Sequence, residues 1–357
     1  MRAPSLRSAC AAIAAITLAC SAAAQNIQLY GTVDAAVGTM AVQRPGAPNA
    51  AIVKTTGVHS GGLQTSYFGM RGTEDLGGGL TAKFLMESFF RVDTGVTGRF
   101  DANPTSGADL MWSRQAFVGL AGGFGEIRLG NNDNPMWVTM LLTNAMGTNS
   151  YFSPAFRQLY NGSARGISEV DTAMVNSVRY ISPQLAGFEL NAEMSAGEGR
   201  GSSNYAANLI YIQGPLLVSA ATQHVGHAAP PASTTLLTPP FTPLDTHRDQ
   251  TMHMLGAAYS FGPVRLFGQY TYARNDRTDI NDRISDLGVS ARLGNGDLQL
   301  AVGQDKTSGP TVAKRTTSSI GYVYNMSKRT DLYTFAMADK VSVGTANSYV
   351  VGIRHRF

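Results

Sequence analysis

The chain has 357 residues, a formal charge of +4, 43% hydrophobic residues and two cysteines. That charge is too mild to make nucleic acid a partner, and no run after Ala24 approaches the ~20 consecutive apolar residues of a membrane helix. Both cysteines, Cys10 and Cys20, lie in the first 24 residues, so the remainder has no disulfide and must be stabilised by something else, such as extended strand pairing.

The N-terminus carries Arg2 and Arg7, an apolar run over 9–19, and Ala22, Ala23 and Ala24 before Gln25. This is the layout of a cleaved secretory signal. We place the cut after Ala24, so residues 1–24 are the signal and 25–357 the exported part; removing Arg2 and Arg7 leaves that part a charge of +2. Lipoprotein processing at Cys20 fits less well, because Thr17 stands where a large aliphatic residue is wanted.

From Ile27 the pattern has period two, with Ile27, Leu29, Gly31, Val33 and Val37 against Gln28, Tyr30, Thr32 and Asp34. The glycine-rich stretch 74–79 reads as a tight turn that sends the next strand straight back. In that strand Leu80, Ala82, Phe84 and Met86 share one face, and Thr81, Lys83 and Glu87 share the other. Further tight connections fall at 122–125, 182–187, 214–215, 262–263, 294–297 and 325–330. Long polar ones alternate with them at 93–109, 133–171, 197–203, 227–250, 274–282 and 306–314. Short turns on one side and long loops on the other are the asymmetry of an outer-membrane barrel. About sixteen strands fit between the breaks, enough to leave an aqueous lumen.

The terminal stretch 348–357 puts Tyr349, Val351, Ile353, His355 and Phe357 on one parity and Arg354 and Arg356 on the other. One face would meet lipid and the other water. A bilayer leaves no water for an open sheet edge, so this strand must pair with the first. Because a lipid-facing Arg or Lys costs roughly 2–4 kcal/mol near the midplane, Arg71, Arg114, Arg128, Arg179, Arg265 and Arg292 are expected to point inward. Phe68, Met70, Phe117, Phe188, Leu190, Tyr259, Phe261, Tyr270, Tyr272, Tyr322 and Tyr324 are then expected to face lipid. A soluble β-sandwich would alternate equally well; the charged strand residues and the loop asymmetry favour the barrel.

The stretches Leu29-Tyr30-Gly31-Thr32-Val33-Asp34, 68–80 (FGMRGTEDLGGGL), 113–120 (SRQAFVGL), Asn176-Ser177-Val178-Arg179-Tyr180 and Gly352-Ile353-Arg354-His355-Arg356-Phe357 resemble the general porins of Gram-negative outer membranes, in particular the β-proteobacterial type. The resemblance implies an all-β, 16-stranded transmembrane barrel with short periplasmic turns. It also implies a homotrimer, a third long loop folded into the lumen, and a terminal Phe357 read by the barrel-assembly machinery. The segment 133–171 suits that constriction loop, and Asn134-Pro135 followed by the apolar run 136–142 could start a short helix. In the enteric type, acids near the loop tip face a ladder of wall arginines. Here the loop holds Asp133, Arg157, Arg165, Glu169 and Asp171, with no acid between Asp133 and Glu169. Tyr67 and Asn131 stand where the family usually has arginines. The basic wall carried over is Arg71, Arg114 and Arg179, with Arg128 and Lys83. The expected function is passive diffusion of small hydrophilic solutes and ions across the outer membrane, with a weak to moderate preference for anions.

The alternative is a substrate-selective channel in which Tyr67, Trp137, Tyr151 and Phe152 form a binding track for a sugar or organic acid. A barrel enzyme is disfavoured: Glu87, Glu189 and Glu193 share the inward parity, but no nucleophile with a partnered base accompanies them. No cofactor or metal is expected, since His224 and His227 have metal-site spacing but no cysteine and few acids nearby. Lys314 and Arg315, or Arg274, Arg277 and Arg283, read as external basic segments that could meet lipopolysaccharide phosphates or stand solvated.

Overall fold

The computed structural model describes residues 26–43, 51–99, 111–160, 172–197, 202–226 and 249–357. The expected signal 1–24, and also Arg165, Glu169, Asp171 and His227, lie outside them. Seventeen strand segments form one antiparallel sheet: β1 (Gln28–Gln43), β2 (Ile52–Ser60), β3 (Tyr67–Gly77), β4 (Leu80–Phe89), β5 (Gln115–Gly122), β6 (Gly125–Asp133), β7 (Ala173–Ile181), β8 (Phe188–Ser195), β9 (Asn204–Gln213), β10 (Leu216–Val225), β11 (Gln250–Phe261), β12 (Val264–Asn275), β13 (Ile280–Leu293), β14 (Gly296–Ser308), β15 (Ala313–Asn325), β16 (Thr330–Val341) and β17 (Gly344–Arg356). β2 and β3 are two halves of one stave. β2 pairs with the far end of β1, where Ala35 faces Ser60, and β3 with its start, where Thr32 faces Tyr67. The staves therefore number sixteen.

The break between β2 and β3 is organised by Asp34, which is fully buried. Its carboxylate accepts the amides of Leu63 (3.2 Å) and Gln64 (2.9 Å) and the Tyr333 hydroxyl (2.5 Å), while its carbonyl accepts the Gly61 amide. Gly61 has φ +80°, a left-handed conformation that glycine adopts freely. The buried backbone leaving the ladder is thereby satisfied.

β1 pairs with β17, from Thr32 opposite Arg356 to Thr39 opposite Tyr349, and the ring closes. Gly31 and Phe357 exchange backbone hydrogen bonds of 3.2 and 3.1 Å. A Cβ on Gly31 would stand 2.6 Å from the Phe357 ring, so the terminal aromatic occupies the space that this glycine leaves. Leu29, Val37, Val351 and Ile353 are exposed on the outer face, while Thr32, Asp34 and Val350 are buried. Outward rings gather near the short turns, among them Phe188 against Tyr211 and Tyr259 against Phe261, both at 4.5 Å. Such rings sit at the headgroup level of a bilayer.

Three expectations are corrected. Residues 274–282 and 306–314 are mostly strand, so the connections there shrink to 276–279 and 309–312. The last connection on that side, Ser342 and Val343, is also tight. Phe117 lies inward, in register with Gly130 between Leu85 and the Arg128 row, because Arg114 precedes the regular strand and does not share its parity. Arg315 also points inward and is buried: it faces Asp305 across the ladder and shares the parity of Thr317, which faces Asp339.

Candidate functional site: the constricted lumen

After β6 the chain turns into the barrel. Asn134 caps helix α1 (Pro135–Leu142), its side chain accepting the Met136 amide at 2.8 Å, and Pro135 takes the first helical position. Met136 and Met140 are fully buried against Ala221, Met252 and Met254 of the wall. Polar bonds fix the depth. Asn208 donates to the Pro135 carbonyl at 2.9 Å, and the Thr139 hydroxyl meets Ser219 at 2.9 Å.

Helix α2 (Pro154–Tyr160) follows further round the wall, beneath β13, β14 and β15. Phe152 stacks on Phe335 at 5.5 Å, and Gln158 donates to Thr317 at 2.8 Å. Wall glycines make the room: a Cβ on Gly288 would lie 2.6 Å from Ala145, and one on Gly303 would lie 3.0 Å from Pro154. The loop thus crosses the lumen and docks on the far wall, narrowing the passage.

Arg157 belongs to this dock. It is 3% exposed, pairs with Asp339 at 3.4 Å, and shares that carboxylate with Arg315 at 2.6 Å. Burial, and then Arg315, push the Arg157 guanidinium below its ordinary range, and Asp339 opposes them. It serves as a latch and does not line the passage, contrary to its expected contribution to the lumen field. Tyr151 and Phe152 are likewise buried, at 4% and 0% exposure. Trp137 packs edge-on against Phe156 and Tyr160, each at 5.7 Å. The aromatic track is not assembled: two of its four rings are inside the loop-to-wall contact.

The wall across from the dock carries the expected basic residues. Lys83 faces Gly119, Gly119 faces Arg128, and Arg128 faces Arg179, so three cations lie in one row across β4 to β7. Glu126 receives Lys83 at 2.9 Å and Arg128 at 2.6 Å. Arg128 also lies 4.5 Å over the Phe117 ring. Arg114 pairs with Glu87, which also accepts the Tyr30 hydroxyl, and its guanidinium lies 4.1 Å over Tyr67. Tyr67 thus serves as a platform for a neighbouring arginine. Asn131 donates to the Ser113 carbonyl at 3.1 Å, beside Arg114. Arg71 lies 4.7 Å over Tyr30 and bonds Gln28. Arg179 is 4% exposed, donating to the Asp133 carbonyl and to Asn191. Its guanidinium ties the start of the loop to the wall.

Glu126 was not singled out from sequence. Its parity with Arg128, two residues on, was a readable signal; its bond to Lys83 depends on a cross-strand register that no local pattern gives. The same holds for Asp339, which is far from Arg157 in the chain.

A closed ring of sixteen staves, apolar outside and charged inside, with a loop folded across its interior, defines a membrane pore. The family model described as "Gram-negative porin" matches residues 9–343. Outer membrane porin protein 32 of Delftia acidovorans is 30% identical over 97% of this chain and 99% of its own. The major outer membrane protein P.IB of Neisseria meningitidis serogroup B is 32% identical over 57% of this chain and 56% of its own. Among solved structures, the anion-selective porin from Comamonas acidovorans superposes with TM-score 0.72 at 24% identity, covering 93% of this chain and all of that one. OmpT of Vibrio cholerae superposes with TM-score 0.63 at 12% identity, covering 94% and 99%. The chain belongs to the Gram-negative porin family. It is an outer-membrane channel for passive diffusion.

Proposed function

We propose that this channel favours anions weakly to moderately, and that Lys83, Arg114, Arg128 and Arg71 set the preference. One observation carries this reading. In the ion pairs on the wall opposite the dock, the cation is more exposed than its carboxylate: Lys83 34% against Glu126 12%, Arg114 23% against Glu87 4%, Arg128 21% against the same Glu126. A passing solute meets the guanidinium or ammonium first, and the acid lies beneath it. The low-dielectric wall focuses this field over a Debye length of ~8 Å. The pairing keeps the preference modest, since each acid cancels part of the field at a distance. The relative from Comamonas acidovorans is described as anion-selective, which supports the same sign.

The test is a planar-bilayer recording under a salt gradient, in which the reversal potential should have the anion-selective sign. A cation-selective sign would remove the proposal. Transport of this kind requires no catalytic step; labelling of a single serine by a nucleophile-directed probe would count against it. We also propose that the protein works as a homotrimer, and that Phe357 is the feature read by the barrel-assembly machinery; a solved structure of Vibrio cholerae OmpT with the same fold is described as a trimer form.

A further inference from the structure

Asp286 lies on β13 beneath the docked loop and is 1% exposed. Across the ladder it faces Gln269 on one side and Gly303 on the other. A Cβ on Gly303 would stand 3.1 Å from Asp286 Oδ2, 3.0 Å from Pro154 and 3.3 Å from Gln158, so α2 covers the carboxyl group. Thr143, on the other arm of the loop, donates its hydroxyl to Gln269 Oε1 at 3.1 Å. Within this seat neither oxygen of Asp286 has a hydrogen-bond partner.

The surrounding charges do not compensate. On its own strand Asp282 is the nearest inward charge, while Arg292 pairs with Asp297 at 2.8 Å. On β14 the nearest is Asp305, opposite Ile284. β12 offers the neutral Gln269 at this level, and its Arg265 lies four residues away over the Phe267 ring. The loop from Thr143 to Ser153 has no charged residue, and its Tyr151 hydroxyl donates to the Ala41 carbonyl of β1. In α2 Tyr160 packs on Trp137, and the one charge, Arg157, serves Asp339 together with Arg315. Asp339 is three strands from Asp286, through Gly303 and Thr317, or about 14 Å at ~4.8 Å per strand. Among the described residues no cation faces Asp286.

A carboxylate enclosed without a counter-charge is too costly to keep ionised, and such a group takes a proton instead. The loop supplies the enclosure: without it the same side chain would face the water of a sixteen-stave lumen. We propose that Asp286 is a proton site that couples the seat of the constriction loop to pH. The docked loop covers a neutral carboxyl group; the released loop leaves a carboxylate in lumen water, and one proton passes to solvent. The docked form therefore carries one proton more than the released form. Docking then weakens as pH rises above the ordinary carboxylate range, by up to about tenfold per pH unit, and the loop is held most firmly in acid. This linkage concerns the loop's pose and is separate from the sign of the ion preference.

Single-channel recordings of the full-length protein in planar bilayers, with equal pH on both sides, test it between about pH 5 and pH 9. In the wild type the frequency of larger, noisier conductance steps should rise with pH. In Asp286→Asn, which keeps the shape and cannot ionise, it should stay at the acid-side level throughout. The reversal potential under a salt gradient, read in the same films, judges the anion preference on its own. Infrared spectra of the wild type at neutral pH should show a protonated carboxyl band that Asp286→Asn lacks. On alkaline titration that band should fade as the noisy steps become frequent, a comparison that needs no variant. Wild-type steps indifferent to pH, a pH response undiminished in Asp286→Asn, or a wild type without the protonated band would each overturn the assignment.

Discussion

The Arg114 guanidinium sits between the Tyr67 ring and the Glu87 carboxylate, and it offers the lumen a charge whose counter-ion is almost out of reach. Arg128 stands over Phe117 in the same manner. A unit charge ~10 Å from an ion's path in a water-like medium is worth about 0.4 kcal/mol, or roughly a factor of two in permeability. Arg114→Ala and Arg128→Ala should each lower the anion-to-cation permeability ratio by about that factor, read as a shift of the reversal potential. Arg179→Ala should move it less, because Arg179 is 4% exposed and its work is to hold the Asp133 carbonyl. The inward side of Arg128 and Lys83 was legible from strand parity. Phe117 was not, because parity counted from Arg114 starts from a residue that precedes the strand. Arg157 was read as a lumen charge since its partner Asp339 is distant in sequence.

At the scale of the element, the loop between β6 and β7 combines a helix readable from sequence with a seat that is not. Asn134, Pro135 and the apolar run that follows announce α1 locally. The seat depends on glycines of β13 and β14, which resemble any other strand glycine until the loop is placed against them. Gly288→Val would put its branched side chain where Ala145 lies. The loop should then shift into the lumen, lowering single-channel conductance while the barrel remains intact. Asp339→Asn acts at the other end of the dock. It leaves Arg157 and Arg315 buried without their shared counter-charge, a change that costs roughly 3–5 kcal/mol when a buried pair loses one partner. The loop should come off the wall, seen as noisier and larger conductance steps; unchanged recordings would show that the helix contacts alone hold it.

At the scale of the molecule, closure depends on β1 and β17 meeting along eight residue pairs, from Thr32 with Arg356 to Thr39 with Tyr349. Deleting Phe357 removes both backbone bonds to Gly31 and exposes the space beside that glycine. The expected result is a lower yield of heat-modifiable, folded barrel at an unchanged rate of synthesis, measured by gel mobility before and after boiling. The count of staves was legible because side-chain period and turn chemistry repeat around the ring. The split of the second stave was not, since it is dictated by Asp34 reaching across to Leu63, Gln64 and Tyr333.

The rim is uneven. From β12 onward the connections on the outer side span only 276–279, 309–312 and 342–343, whereas those before β11 include 134–172 and 226–249. One arc of the mouth is therefore a low parapet, and the long connections all belong to the other. A protease or antibody reaching an intact cell would find its handholds ahead of Gln250, and the stretch from there to Phe357 should survive surface digestion as one embedded fragment.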